Sequence, residues 1–308
     1  MRAIGLVFIA GLLSACGTVQ AAREPVQVDM RNVDLHMSGD VTLHVRQLSG
    51  YFVPVDRDVT HLDYKQSYAV AVESGEVAID LVSLNALMAR STGGRKSNIE
   101  HLQLSINGDG TLEQKGVIDS AVNIPFKSKA VLSTTPDGHI RVSTTSVRSL
   151  GLPVKPIMKL LHFQMDDLVK VAPGTGVVTD GNDLILDPSL LLPAPTVRGR
   201  ISRVRIQDDQ LVQTFGSGTA KPIAKRDLAP NHIYWRGSQL SFGKLTMSGT
   251  DLELVDMDPG DPFDFSIDHW NAQLVAGYSK TLPDRSLRAY MPDFNDLPPA
   301  RRDVHVGR

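Results

Sequence analysis

The chain has a single cysteine in 308 residues, at position 16, so no disulfide within the chain can hold its fold together. It also lacks an excess of either charge. Its 32 Lys and Arg against 34 Asp and Glu leave a formal net charge of −2, interspersed along the sequence. That balance removes the global electrostatic footprint of a nucleic-acid binder, and leaves only a local basic patch to consider. Past the N-terminus no apolar run is long enough to cross a bilayer as a helix. No nucleophile elbow, P-loop, dinucleotide fingerprint or zinc-binding His/Cys spacing occurs, so the residues call for no catalysis and no cofactor. Aromatic residues make up only 6% of the chain, while Val, Leu and Ile are frequent, a mixture that suits a sheet-rich body.

The cysteine's position is informative. Arg2 supplies a positive start, Ile4 to Leu13 an apolar stretch too short to span a membrane, and Leu13-Ser14-Ala15-Cys16 ends it on small residues. This stretch resembles the lipobox of a bacterial lipoprotein. The resemblance implies a signal peptide over residues 1–15, diacylglycerol on the Cys16 thiol, and a fatty acid such as palmitate on the new amino group. A triacylated cysteine would not leave a bilayer spontaneously, at about 0.8 kcal/mol per buried CH₂. Gly17 after the cysteine implies the outer membrane, facing the periplasm. The alternative is an ordinary secretory signal cut after Ala21, which would release a soluble protein.

Residues 16–30 read as a polar tether. Alternation follows: Val33, Leu35 and Met37 face one way and Asp34, His36 and Ser38 the other. After a Gly39-Asp40 turn, Val41, Leu43 and Val45 repeat the pattern, which predicts a hairpin with one buried face. Similar runs recur at Leu102 to Ile106, Val122 to Ile124, Ile140 to Val142 and Val197 to Ile206. Two helices are expected between them. One runs from Val82 to Arg90 with Ser83 as its cap; the other, from Val154 to Val171, carries a wide apolar face. Residues 216–232 read as a linker, 233–294 as a β-rich block, and the Pro- and Arg-rich 295–308 as a disordered tail.

Several clusters carry possible chemistry. His36 and His44 would meet across the first hairpin, but a third ligand is missing, and solvent-facing strand histidines explain them. Asp256, Asp258, Asp261 and Asp264 share one loop, yet Pro259 and Gly260 break the register of a calcium loop and favour an ordinary turn. No metal is therefore expected. Arg198, Arg200, Arg203 and Arg205 form a basic stripe whose phase breaks near Ser202. It is either a headgroup contact, at about 1 kcal/mol per basic residue near an anionic surface, or a solvated strand face.

The succession of strands, the 154–171 segment, and Asp180-Gly181-Asn182-Asp183-Leu184-Ile185-Leu186-Asp187-Pro188 leading into Val197 to Ile201 resemble the TULIP-like (tubular lipid-binding) superfamily over roughly residues 30 to 215. That resemblance implies an α+β fold: a strongly curved, mostly antiparallel β-sheet wrapped around the long apolar helix, followed by the smaller β-rich block. Residues 31–215 would then be the lipid-binding domain. Acyl chains would lie in a groove lined by Ile157, Leu161, Met165 and Leu168, facing Val41, Leu43 and Val45, with no bond made or broken. The rival expectation is a non-catalytic scaffold of the cell envelope whose C-terminal block binds a protein partner.

Overall fold

The computed structural model describes residues 25–55, 60–92, 99–118, 123–149, 174–221, 223 and 227–302. Strands β1 (Val26–Ser38) and β2 (Val41–Pro54) form a long antiparallel hairpin through a turn at Gly39, where φ is +58°. On the far side of β2 follow β4 (Tyr68–Asp80), β13 (Gln210–Phe215) and β12 (Ile201–Gln207). On the far side of β1 follow β14 (His232–Phe242), β15 (Leu245–Asp256), β18 (Leu287–Met291) and β17 (Tyr278–Thr281). Short strands extend this sheet to twelve among the described residues: β3 (Thr60–His61) on β14, β11 (Thr196–Arg198) on β4, and β16 (Phe263–Ser266) parallel to β1.

The sheet curls because its ladders are interrupted. Register shifts fall between Val45 and Gln47 and between Ser49 and Gly50 on β2, and extra residues of this kind bend a strand and raise its twist. Gly50 is required at that bend: a Cβ there would lie 2.1 Å from the Ala71 carbonyl oxygen. The concave side is filled by the sheet's own alternating side chains, from Val28 and Met30 through Phe52, Val70, Ile233 and Trp235 to Phe263 and Phe265.

A second sheet of β5 (Ile99–Ile106), β6 (Leu112–Ile118), β7 (Ile124–Thr134), β8 (Ile140–Ser149), β10 (Asp183–Leu186) and β9 (Val177–Asp180) sits beside it. Its Leu112, Ala130, Ile140 and Val142 join the main core, while Ile118 and Phe126 begin a smaller cluster. Helix α1 (Leu81–Thr92) links the two sheets. Asp80, not the expected Ser83, caps it by accepting the Ser83 N–H at 2.7 Å. The Ser83 hydroxyl instead accepts from the Thr42 N–H at 2.9 Å, pinning the helix to the hairpin. Asn85 reaches across to β5, where its Oδ1 accepts the Leu104 N–H at 2.8 Å.

The expected fold class is overturned. The protein is mostly β, 59% strand and 11% helix, with large sheets and a half-barrel, and no long apolar helix is wrapped by the sheet among the described residues. The physical reason is that inward strand residues fill the curve themselves. The 154–171 segment lies outside the described residues, as does Cys16. The tether reading of 16–30 also stops short, because β1 already starts at Val26. The change of composition at 216–232 does not divide the hydrogen bonding: β14 and β16 both pair with β1 across it. Nor is 295 the start of a tail, since Leu297 is buried and Arg302 donates to its carbonyl at 2.7 Å.

A fragment of residues 31–215 would therefore lose β1 up to Met30 and expose the outer edge of what remains, from Val33 to His36. It should show no cooperative thermal transition, whereas the chain from residue 25 onwards should; a sharp transition in the fragment would mean that β14 to β18 add nothing essential to the sheet.

Candidate functional site

Two places in the fold gather side chains capable of binding. The first is the dry interior. Two adjoining cavities share Met30, Leu35, Val70 and Pro195 as walls. One extends to Phe52, Leu62, Tyr68, Phe242, Trp235 and Trp270; the other to Met37, Leu43, Val45, Leu192 and Phe215. Each encloses only about 30 Å³, room for a water or two. The chain has two tryptophans, and both line the first cavity. Phe52 stacks on Tyr68 with ring centres 4.9 Å apart, and Phe242 on Trp270 at 3.9 Å. Burial pushes the Tyr68 hydroxyl well above its ordinary pKa, helped by the charges of Asp63 and Asp268, so it stays neutral.

One polar atom in this wall is unsatisfied. Trp235 is 2% exposed, and its Nε1–H finds no acceptor. A buried donor left this way costs about 1–3 kcal/mol. Around the same end of the sheet, residues of the wall alternate with exposed apolar neighbours: Val53 beside Phe52, Val55 after it, and Tyr64 between Leu62 and Tyr68.

The second place is a polar cleft of about 360 Å³ on the opposite face of β1 and β2, lined by Asp34, His36, Thr42, His44, Asp80, Asp261, Asp264, Asp293 and Asn295 among others. His36 pairs with Asp264 through Nε2, and its Nδ1 lies 3.1 Å from the Thr42 hydroxyl. His44 sits between Asp34, at 2.8 Å, and Asp80, at 3.4 Å. The hydrogen bond to Asp34 raises the His44 pKa; burial opposes it, and Asp80 adds to it. Burial pushes Asp80 up, but the Ser83 N–H and hydroxyl and His44 outweigh it and hold it low. Asp293 is pushed up to about 7 by burial, reinforced by the charges of Asp256, Asp261 and Asp264.

Asp256, Asp261 and Asp293 bring carboxylate oxygens within 4.8 Å of one another, the oxygen-only donor set of a hard cation. Two of the three are already occupied as acceptors. Asp256 takes the Asn231 amide at 2.9 Å and the Asp258 N–H at 2.8 Å, and Asp293 takes the Asp264 N–H at 2.7 Å.

The expected site residues are distributed unevenly. Ile157, Leu161, Met165 and Leu168 lie outside the described residues. Leu43 and Val45 face the second cavity, while Val41 is fully buried core. The arginine stripe is split. Arg205 is tied to Glu76 at 2.8 Å and Arg200 to the Pro136 carbonyl at 2.6 Å, whereas Arg198 and Arg203 are exposed. The break near Ser202 is a register shift between Ile201 and Arg203. The His36/His44 pair and the Asp256 to Asp264 loop, set aside separately in the sequence, meet in one cleft. Trp235, Trp270, Asp80 and Asp293 were not singled out; they stand on two strands, a short helix and a connection, with no common spacing to link them.

No protein-family model matches this chain, and neither the curated proteins nor the solved structures contain a match.

The His44 clasp gives a pH dependence with a definite sign. Its folded pKa is raised above 6.5, so its contribution is complete below pH 6.5 and lost as pH climbs through the raised value. His44→Gln should cost about 1 kcal/mol at pH 5.5 and almost nothing at pH 8.5. Urea denaturation at both pH values checks this, and an equal cost at each would mean that the imidazole's charge contributes nothing.

Proposed function

We propose that this protein is an envelope lipoprotein, anchored through Cys16 and probing its surroundings for lipid, that takes acyl chains into the apolar interior of its curved sheet without making or breaking a bond. One observation carries the reading. An almost wholly apolar pair of cavities runs beneath the sheet, and the exposed apolar residues Val53, Val55 and Tyr64 are sequence neighbours of Phe52, Leu62 and Tyr68 in the wall of the first. Burial there is favourable by about 25 cal/mol for each Å² of apolar surface removed from water. The closed cavities are too small for a chain, so binding requires their walls to part. Met30 and Met37, unbranched and polarizable, are suited to that repacking. The exposed Arg198 and Arg203 supply positive charge for an anionic membrane surface.

The anchor is tested by mass spectrometry of the mature N-terminus, which should begin at a triacylated Cys16. An unmodified chain starting at Ala22 would refute it.

Chain uptake is tested by fluorescence, because every tryptophan in the protein lines one cavity. Phospholipid brominated along the acyl chain should quench emission saturably at about one lipid per protein, and organic extraction of the purified protein should recover lipid. Absence of both saturable quenching and extractable lipid would leave the envelope scaffold as the better reading.

A further inference from the structure

The unsatisfied indole of Trp235 bears on which lipid enters. Trp235 comes from β14, stands edge-on to Phe52 with ring centres 5.8 Å apart, and lines the first cavity with its Nε1–H lacking any acceptor. Apart from the Tyr68 hydroxyl and the Trp270 indole, the side chains lining that cavity offer a water no other polar partner. A ligand that fills the cavity with hydrocarbon alone leaves the N–H unsatisfied, while one that brings an oxygen acceptor with its chain satisfies it.

Charge narrows the acceptor further. The polar groups near this end include the Thr60 hydroxyl, buried without a partner, Tyr68, held neutral, the carboxylates of Asp63 and Asp268, and Lys65. Lys65 is already paired with Asp268 at 2.5 Å, and Asp63 accepts the Gly243 N–H at 3.0 Å while its other oxygen is buried without a partner. No free cation therefore faces the cavity among the described residues that line it, and a carboxylate entering it would meet negative neighbours in a dry site. Resting on the acyl-chain reading above, we propose that Trp235 is a specificity-determining residue whose Nε1–H donates to the carbonyl oxygen of a neutral, ester-linked acyl chain, in preference to a fatty-acid anion or a bare hydrocarbon.

The test uses the full chain in non-ionic detergent micelles, with three brominated probes of equal length: the alkane, the methyl ester, and the carboxylate. Half-maximal quenching should come at about tenfold lower mole fraction for the ester than for either other probe. With ¹⁵N-labelled tryptophan, the ester but not the alkane should move the Trp235 indole N–H signal downfield, assigned by its loss in Trp235→Phe. That variant, read through Trp270, should still take up the alkane but lose the ester preference, and Trp270→Phe should keep it. Equal quenching by ester and alkane with an unmoved indole signal overturns the role of Trp235 while leaving acyl-chain binding standing. If no probe quenches, the acyl-chain reading fails and takes this inference with it. Should Trp235→Phe not fold, the probe series and the indole shift in the unaltered protein decide the matter alone.

Discussion

The structure depends on strand β1 being hydrogen-bonded along both edges. β2 runs along one edge for its full length; the other is shared, antiparallel to β14 from Gln27 to Arg31 and parallel to β16 from Val33 to His36. The handover falls at Asn32, whose φ of +51° belongs to the left-handed region that asparagine tolerates better than most residues. Its side chain donates to Asn231 at 2.8 Å, and Asn231 in turn donates to Asp256 and to the Asp261 carbonyl. The loop that precedes β16 is thus fastened at the point where β1 changes partners.

That kink also changes which residues face inward. Before it Val26, Val28 and Met30 are buried; after it Val33, Leu35 and Met37 are. Met30 and Leu35 consequently both reach the walls of the two cavities. On the other face, Asp29 falls under cover and pairs with His232 at 2.8 Å, whereas Asp34 and His36 open onto the polar cleft. One backbone conformation therefore separates a dry interior, a buried ionic layer and a wet acidic cleft. In the buried layer, pairing is complete where charge is deepest: Glu253, with no exposed surface, accepts from Arg288 at 2.5 Å and from the Ala229 N–H at 2.8 Å.

The legible parts of the fold were the local ones. Alternation at Val33 to Met37 and Val41 to Val45 gave the hairpin's buried face, and the phase break in the arginine stripe located the register shift near Ser202. The first half of β1 was missed because Val26, Val28 and Met30 alternate in the opposite phase to the residues after Asn32, so the strand looks like two unrelated pieces. Distant pairing left no trace at all. His36 and Asp264 are 228 positions apart, and nothing in either neighbourhood says that β16 will lie parallel to β1. His36 and His44 take separate carboxylate partners, Asp264 for the first and Asp34 and Asp80 for the second. The apolar pattern of 154–171 led to a helix-centred architecture, although the sheet contains enough inward Val, Leu, Phe and Trp to fill its own curve.

The interior carries its unsatisfied groups unevenly. Among the described residues, five side chains bear a buried polar atom without a partner, and Thr60, Asp63 and Trp235 come from one end of the large sheet. This is where β3 contributes only two residues to the ladder, and where Val53, Val55 and Tyr64 remain exposed. Local opening is cheapest where few ladder bonds must break and where the closed state already bears the cost of unpaired donors and acceptors. The β1 and β2 centre has the opposite character, paired in one register from Val26 opposite Phe52 to His36 opposite Thr42, with a single shift before Ser38 meets Val41. Local opening at the β3 end would therefore leave intact the strand pair that borders both the interior and the acidic cleft.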